Sequence, residues 1–337
     1  MVHGQTSGNY SYDVFTWVGH ENDNPDYFYS MPWDKITTIG FFSDITDRLD
    51  LRDYAHDQGK KLVRGTNPFN SCDDINNETQ RAAWIQKEIS SALEQGYDGI
   101  NIDYEGHDPD KVDGFNQAVI EACNTFHEQM PGSEVSIDAP FYPHYEGRNY
   151  DYVSIANACD YLFIMAYDGE FWDNIQCVAT SPNCSMATAP LQLCEYGIQQ
   201  YIALGVDPTK LYLGLPWYGL KYEYIEGVPF YTGQIEYKDI LTLINNTTMN
   251  TGGGNLTYVD RGSVMRYQCD GFCSSDPKNN NDFSTEIWFD NPSTLTSKYE
   301  LATQYNLKGV GMWEATDVDY TANGLDEAMA MWDPIAN

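Results

Sequence analysis

The stretch GYDGINIDYEG, residues 96–106, alternates apolar side chains with amide and carboxylate side chains. Asn101, Asp103 and Glu105 fall on one parity of this stretch. Because a β-strand sends alternate side chains to opposite faces, the three polar groups are predicted to share one face, about 6.5–7 Å apart. Two nearby carboxyl groups resist joint ionisation, which favours a proton on Glu105 and predicts that Glu105 acts as a general acid.

Eight strand-like apolar runs recur along the chain, with helical patterns between most of them. They are residues 12–19, 35–43, 60–69, 96–105, 134–142, 160–168, 210–219 and 307–317. This alternation predicts a parallel sheet of the α/β class, and eight repeats predict a closed (β/α)8 TIM barrel. One parity of each barrel strand points to the axis, and barrel enzymes place their chemistry at the carboxyl ends of the strands. We therefore expect Glu105 at the barrel mouth, with Asp103 and Asn101 below it.

Several helices are predicted between the strands. Residues 48–61 form a helical pattern that Gly59 ends, and residues 78–96 form one that Asn77 caps and Gly96 ends. A further helix is predicted over residues 112–130. Apolar residues at helical spacing mark the buried faces of the last two helices: Ile85, Ile89, Ala92 and Leu93 in 78–96, and Phe115, Ala118, Val119, Ala122 and Phe126 in 112–130. Further helices are expected near 190–204, 293–305 and 324–332.

The segment from about 220 to 285 breaks this rhythm. It is rich in Tyr, Asn, Thr and Gly, with NNTTMNTGGGN at its centre. We predict a small α+β insertion between the seventh and eighth barrel strands. Because the eighth strand follows it, the insertion is expected to lie within a single catalytic domain of residues 1–337.

The composition excludes several classes of partner. A formal net charge of -32 with no basic stripe argues against nucleic acid and against an anionic membrane surface. The histidines show no paired-ligand spacing, and the chain has no phosphate-binding loop and no dinucleotide fingerprint, so no metal and no cofactor are expected. We expect a monomer.

The cysteines and glycosylation sequons favour the secretory pathway, with a lysosomal or secreted destination. The chain has eight cysteines, and the closely spaced ones in CVATSPNC (177–184) and CDGFC (269–273) are typical of small disulfide loops. Cys123 and Cys159 are compatible with reduced core thiols. Asn-x-Ser/Thr sequons occur at Asn9, Asn77, Asn183, Asn245, Asn246 and Asn255.

The stretch DGINIDYE resembles the DGxDxDxE signature of family 18 glycoside hydrolases, the chitinase family. Asp98, Asp103 and Glu105 match its spacing, whereas Asn101 replaces the usual middle aspartate. FIMAYD (163–168), LGLPWYG (213–219) and residues 288–320 extend the resemblance over nearly the whole chain. The third strand departs, since GTNPFN stands in place of the SxGG that is usual in chitinases, and this moves the resemblance towards the chitobiase branch of the family.

The resemblance implies a substrate-assisted, retaining mechanism on a 2-acetamido sugar. Glu105 would be the acid and base, while Asp103 and Tyr167 would hold the acetamido group. Trp313 would form the apolar floor of the reacting subsite, and Asp168 would bind a sugar hydroxyl or orient Tyr167. Other matched positions are given lesser roles: Asp98 in structural support, Met165 in packing, and Trp17, Trp217 and Tyr218 in sugar contacts or core packing.

Asn101 carries a separate hypothesis. An aspartate at this position could share a proton with Asp103, but an amide cannot ionise. The substitution therefore predicts that Asp103 stays ionised over a wider pH range than in ordinary chitinases.

Together these patterns predict a glycosidase that cleaves β-1,4-linked N-acetylglucosamine in chitobiose, N-glycan cores or short chitin oligomers. An endo-acting chitinase on the same barrel is the nearest alternative. A catalytically inactive chitin-binding lectin, or a structural or storage protein, would be expected to lose the acid that Glu105 represents.

Overall fold

A computed structural model of the chain describes residues 12–19, 25–42, 49–70, 72–106, 108–168, 187–225, 228–245, 254–260, 262–270 and 284–335. Within these ranges, eight parallel strands close into a barrel in the order β1-β2-β3-β4-β5-β6-β7-β13. The strands are β1 (Asp13–Trp17), β2 (Thr38–Phe41), β3 (Lys61–Thr66), β4 (Gly99–Ile102), β5 (Glu134–Ala139), β6 (Tyr161–Met165), β7 (Leu211–Pro216) and β13 (Gly309–Trp313). All eight predicted strands and the predicted TIM barrel are confirmed.

Nine helices lie in the described ranges, most of them packed around the barrel. They are α1 (Pro25–Tyr29), α2 (Leu49–Asp57), α3 (Glu78–Gln95), α4 (Val112–Gln129), α5 (Tyr152–Ala158), α6 (Leu191–Leu204), α7 (Tyr237–Asn245), α8 (Pro292–Tyr305) and α9 (Leu325–Trp332). Asn77 caps α3 by accepting from the backbone N–H of Gln80, and Gly96 ends α3 in the left-handed conformation, both as predicted. No helix in these ranges combines the length and apolar character that crossing a bilayer requires.

The predicted stripe of α3 is wrong at one position. Leu93 is 64% exposed, whereas Trp84 and the aliphatic stem of Arg81 are buried on the face that packs inward. Arg81 can be buried because its guanidinium group forms a two-point ion pair with Glu121 on α4, with N–O distances of 2.8 Å. The stripe of α4 is buried at every predicted position.

A second sheet of five antiparallel strands lies between β7 and β13 in the chain. Its strands are β8 (Tyr218–Ile225), β9 (Val228–Glu236), β10 (Asn255–Val259), β11 (Val264–Asp270) and β12 (Ser284–Phe289), in the order β10-β11-β12-β8-β9. The second sheet therefore begins and ends slightly outside the predicted 220–285. The two edge strands, β9 and β10, expose large side chains: Phe230, Tyr231, Leu256 and Tyr258.

The barrel has two apolar layers, one on each side of its strands. The side chains that point outward from the strands pack under the helices in one large core, which includes Ile100 and Ile102 of β4. The side chains that point inward form a separate cluster that is mostly aromatic: Phe15, Trp17, Val63, Tyr161, Phe163 and Tyr212. The strand alternation thus separates an inner face from a helix-facing face, as expected for a filled barrel.

Cys123 and Cys159 form a disulfide that joins α4 to the residue after α5, so the interpretation of these two cysteines as reduced thiols is wrong. Among the described cysteines, Cys72 and Cys194 are buried and form no disulfide, whereas Cys269 is disulfide-bonded. The sequon residues Asn77, Asn245 and Asn255 are exposed. Cys177, Cys184, Cys273, Asn9, Asn183 and Asn246 lie outside the described residues.

Candidate active site

The carboxylate stretch leaves the barrel at the carboxyl end of β4. The strand itself ends at Ile102, and Asp103 continues its line by donating its backbone N–H to the carbonyl oxygen of Thr66 on β3, at 2.8 Å. Exposure rises along the polar parity: Asn101 is completely buried, Asp103 is mostly buried, and the Glu105 side chain is 57% exposed. Glu105 is therefore the most accessible of the three to a ligand that approaches from solvent.

Asn101 lies inside the barrel and contacts the neighbouring strand β5. Its side-chain amide donates to the hydroxyl of Ser136 at 3.1 Å and to Oδ1 of Asp138 at 3.0 Å. Asp138 is only 6% exposed. Burial raises the pKa of Asp138 well above its ordinary value, and the charges of Asp103 and Glu105 raise it further.

Asp103 is a carboxyl group with a strongly altered proton affinity. Burial, followed by the charge of Glu105, raises the pKa of Asp103 to about 7, while the nearby guanidinium of Arg148 acts in the opposite direction. In the ligand-free protein, burial therefore favours the protonated form of Asp103. That Asn101 keeps Asp103 ionised over a wider pH range than in ordinary chitinases stays a prediction.

Glu105 is held by an arginine that the sequence analysis did not identify. Nη2 of Arg148 donates to Oε2 of Glu105 at 3.2 Å, and the Arg148 side chain is only 6% exposed. Arg148 lies in the loop after β5, where its carbonyl oxygen accepts from the hydroxyl of Tyr152 at 3.1 Å. A buried cation below an exposed carboxylate fixes the orientation of that carboxylate at the mouth.

Tyr167 and Asp168 follow β6 and face the same mouth. Burial raises the pKa of Tyr167 well above its ordinary value, and the nearby charge of Asp138 acts in the same direction, so the hydroxyl keeps its proton and can donate. Asp168 does not hydrogen-bond Tyr167. Its Oδ1 instead accepts from the hydroxyl of Tyr218 at 2.6 Å, and its backbone N–H donates to the hydroxyl of Thr188 at 2.7 Å. Asp168 therefore holds the first strand of the second sheet against the barrel.

Trp313 ends β13 with its side chain half-buried at the barrel mouth, and a cis peptide bond joins it to Glu314. Its ring lies 5.7 Å from that of Trp17 and 5.4 Å from that of Phe42, between ring centroids. Those two rings stack at 4.4 Å. A Cβ atom on Gly40 would come within 2.6 Å of Trp17, so glycine at this position seats the aromatic pair below Trp313.

The remaining predicted residues have different positions. Trp17 is almost fully buried and supports Trp313 from below, so its ring is not open to a sugar in this structure. Trp217 is also buried, but on the helix side, where its indole N–H donates to the hydroxyl of Tyr299 at 3.1 Å and its ring packs against Trp332. The structure therefore favours core packing for Trp217. Met165 packs against the inner aromatic cluster.

Asp98 lies at the opposite end of β4, away from the mouth. Its Oδ2 accepts from the backbone N–H of Leu62 at 2.8 Å and lies 2.9 Å from Nε2 of His56. These contacts join the start of β4 to β3 and α2. Asp98 thus supports the barrel and does not contact the other predicted site residues.

A cavity of about 510 Å³ adjoins Trp313 on the side of the second sheet. Its volume falls within the roughly 300–1,000 Å³ that is usual for ligand sites. Aromatic and acidic side chains line it, among them Phe42, Tyr218, Trp313, Glu236, Glu314 and Asp317. Rings beside carboxylates suit a sugar, because they offer flat apolar faces together with hydrogen-bond acceptors.

Asp138 and Arg148 are the two site residues that the sequence analysis missed. Asp138 carried a usable signal, because EVSIDAP alternates polar and apolar residues as GINIDYE does, with Ser136 and Asp138 on one parity. Arg148 carried none, since it lies in an irregular loop whose path only the fold determines.

An exposed glutamate above a buried aspartate, at the carboxyl ends of the strands of a closed parallel barrel, defines a barrel enzyme of the glycoside hydrolase class. The sequence model of "Glycosyl hydrolases family 18" matches residues 64–318, and the chain belongs to that family. It is thus a family 18 glycoside hydrolase.

Named relatives and solved structures agree with this assignment. The chain is 31% identical over 332 residues to "Di-N-acetylchitobiase" of Homo sapiens, covering 90% of this chain and 79% of that protein. It is 27% identical over 345 residues to "Probable di-N-acetylchitobiase 2" of Dictyostelium discoideum, covering 93% and 82%. A family 18 chitinase from Cycas revoluta, crystallised with (GlcNAc)4, shares the fold with a TM-score of 0.73, 16% identity and coverage of 95% and 99%.

Proposed function

We propose that this enzyme cleaves β-1,4-linked N-acetylglucosamine in chitobiose units or short chitin oligomers. This is the activity that the names of its chitobiase relatives indicate. The observation that carries the proposal is the exposure of Glu105 directly after the buried Asp103 at the barrel mouth. The exposed carboxyl group can reach a glycosidic oxygen, and the buried one can meet the acetamido group that enters deeper.

In the first step, the carboxyl group of Glu105 gives its proton to the glycosidic oxygen. The acetamido carbonyl oxygen of the same substrate forms a bond to the anomeric carbon as the glycosidic bond breaks, which yields an oxazolinium ion and the free leaving sugar. Asp103 accepts the acetamido N–H and offsets the positive charge, and the Tyr167 hydroxyl donates to the acetamido oxygen. Glu105 then takes a proton from water, which opens the oxazolinium ion with retention.

The proton distribution in the free protein supports these roles. Below about pH 7 Asp103 holds a proton, because burial disfavours its charged form. The acetamido N–H of a bound sugar favours the anionic form of Asp103. Substrate binding therefore favours the ionised Asp103 that the mechanism requires.

Product analysis tests the proposal. Chitobiose and chitohexaose are incubated with the enzyme, and the products are separated by chromatography. Release of single N-acetylglucosamine from the reducing end is expected. Glu105→Gln should abolish release while sugar binding and the fold persist, whereas Glu94→Gln on the exposed surface of α3 should behave like the wild type.

An endo-acting chitinase is the second candidate, because the cavity beside Trp313 provides volume for sugars beyond the reacting one. Internal cuts in chitohexaose would support it. Binding of either oligosaccharide without any release would contradict both proposals and indicate a lectin.

We further propose that residues 1–337 act as one monomeric catalytic unit of the secretory pathway, in a lysosomal or secreted compartment. Support comes from β13, which closes the barrel against β1 and β7 only after the second sheet, and from the Cys123–Cys159 disulfide. Size-exclusion chromatography with light scattering tests whether the protein is a monomer. Treatment of the protein from its native source with a glycan-removing enzyme tests the secretory pathway, because loss of mass would show N-linked glycans.

A further inference from the structure

Asp138 is a buried carboxyl group to which the proposed mechanism gives no role. It lies near the carboxyl end of β5, on the inward parity, with Oδ1 accepting from the Asn101 amide at 3.0 Å. The charged and titratable groups that face it come from two other strands: Asp103 and Glu105 after β4, and Tyr167 after β6. None of these groups is a cation that could offset a negative charge on Asp138.

Within the described residues, two buried acceptor atoms near Asp138 have no hydrogen-bond partner: Oδ1 of Asn101, whose amide contacts Asp138, and Oδ1 of Asp103. Ile102 pairs with Ile137 in the parallel register of β4 and β5, so Asp103 and Asp138 come next on the two neighbouring strands. A buried acceptor without a donor is costly, and ionised carboxylates and amide oxygens cannot donate to each other. The cluster is therefore better satisfied with at least one proton on its carboxyl groups. Because the Asn101 amide donates to Oδ1 of Asp138, a proton on Asp138 belongs on Oδ2.

We propose that Asp138 is a positioning residue that shares one proton with Asp103 and so replaces, from β5, the aspartate that family members usually carry at the position of Asn101. The inference rests on the proposed function, since Asp103 is the group that would touch the acetamido group. In this chain β4 carries the amide of Asn101, and the carboxyl group that this amide contacts comes from Asp138 on β5.

The active form of the pair holds one proton and one negative charge. Asp138 donates its O–H to the Asp103 carboxylate, and the proton stays within the pair throughout the reaction. A second proton at acidic pH neutralises Asp103, which then cannot offset the oxazolinium charge. Such a pair titrates as a unit, so the acidic limb of the pH–rate profile belongs to both residues.

Three variants test the proposed role of Asp138. Each is compared with the wild type by the pH dependence of kcat and kcat/KM on chitobiose. Asp138→Asn leaves only an amide donor, which stabilises the Asp103 anion less than a carboxylic acid does. Asn101→Asp adds a third carboxyl group beside Asp103. Each change should lower kcat roughly tenfold or more and move the acidic limb to higher pH by about one unit.

The double variant Asn101→Asp with Asp138→Asn returns the carboxyl group to β4. It should recover more activity than either single variant and return the acidic limb towards the wild-type position. Glu134→Gln is the matched control, because Glu134 is another inward carboxyl group on β5 but accepts from Thr38 and Tyr161 at the opposite end of the barrel. Its profile should match that of the wild type. A wild-type profile for Asp138→Asn, or no recovery in the double variant, would overturn the proposal.

A measurement without substrate separates this inference from the proposed function. Carboxyl-labelled aspartate followed by carbon NMR should show Asp138 protonated at neutral pH, and Asp138→Asn should shift the titration of Asp103. Independent titration of the two carboxyl groups would overturn the shared proton even in an active enzyme. Coupled titration in a protein without turnover would refute the proposed function and leave the shared proton standing.

Discussion

The hydroxyl of Tyr218 donates a hydrogen bond of 2.6 Å to Oδ1 of Asp168, and this bond joins the second sheet to the mouth of the barrel. Tyr218 begins β8, while Asp168 follows β6 and adopts a left-handed φ of 57°. The same tyrosine lines the cavity beside Trp313. The contact therefore sets the position of the cavity wall relative to the proposed catalytic carboxyl groups.

Tyr218→Phe removes this donor. We expect a loss of about 1–2 kcal/mol in the free energy of unfolding, because a buried carboxyl group loses a hydrogen bond. We also expect a roughly tenfold lower kcat/KM as the wall loosens, measured with urea unfolding and chitobiose hydrolysis. Tyr258→Phe, on an exposed edge of the same sheet, is the control. Equal behaviour of the two variants would remove any special role for the Tyr218–Asp168 contact.

Replacement of Arg148 by Gln should move the acidic limb of the kcat/KM profile to higher pH. Arg148 lowers the pKa of Asp103, and the proposed mechanism needs Asp103 ionised when substrate is bound. Loss of the guanidinium charge therefore raises the pH at which Asp103 becomes ionised, by roughly half a unit to one unit. Arg148→Lys keeps the positive charge and should show the smaller shift. An unmoved limb in Arg148→Gln would contradict the electrostatic role.

Asp103→Asn should stabilise the fold at alkaline pH. The pKa of Asp103 is about 7 in the fold, against about 4 for an ordinary aspartate, so the folded state binds more protons between pH 4 and 7. Stability conferred by this residue is thus lost as pH rises through that window. The variant should gain up to about 4 kcal/mol at pH 8, at about 1.4 kcal/mol per pKa unit, and little at pH 4.

Thermal unfolding at the two pH values checks this gain. Asp151→Asn is the matched control, because the hydroxyl and backbone N–H of Ser154 lower the pKa of Asp151. That change should give no gain at pH 8. A pH-independent gain in Asp103→Asn would point to packing as its cause.

Two tryptophans that look alike in sequence should respond in opposite ways. Trp313→Ala should lower kcat/KM on chitobiose by about 10–1,000-fold, because an aromatic anchor for the sugar is lost. Trp217→Phe should leave KM unchanged and cost about 1–3 kcal/mol of stability, because its hydrogen bond to Tyr299 and core contacts are lost. Kinetics and urea unfolding of both variants check these two predictions. A raised KM in Trp217→Phe would indicate that Trp217 contacts the sugar.

Removal of the Cys123–Cys159 disulfide by a double change to Ala should lower the free energy of unfolding by about 2–4 kcal/mol. The cysteines are 36 residues apart, and a cross-link over such a loop restricts the unfolded chain. Activity at room temperature should persist, since the bond lies between α4 and α5. Identical urea midpoints for the wild type and the variant would contradict this prediction.

Much of the fold could be predicted because buried parallel strands appear as short apolar runs between helical patterns. The inward position of Trp313 also follows from alternation, since Gly309 and Gly311 share its parity on β13. The same reasoning places Trp217 on the helix side of β7, opposite the parity of Tyr212 and Gly214. Strand alternation in the sequence therefore indicates, for both tryptophans, which side of the barrel wall the side chain faces.

Other features depend on contacts between distant segments and could not be predicted. The guanidinium of Arg148 reaches Glu105 from 43 residues along the chain, and the Cys123–Cys159 bond has a similar span. The pKa of Asp103 depends on how deeply the mouth is buried, which no local pattern encodes. Leu93 is exposed although helical spacing predicts that it is buried, because spacing does not determine how wide a helix face the neighbouring elements cover.

Within the described residues β10 is an edge strand without a second neighbour, and this affects how the protein should be produced. Asn255 starts this edge strand and is the acceptor of a sequon, with exposed Leu256 and Tyr258 beside it. An unpaired edge with apolar side chains is a template for strand pairing between molecules, and a bulky hydrophilic glycan on Asn255 would block that approach. Material from a bacterial host, which lacks this glycan, is therefore expected to self-associate at lower concentration than material from a eukaryotic host.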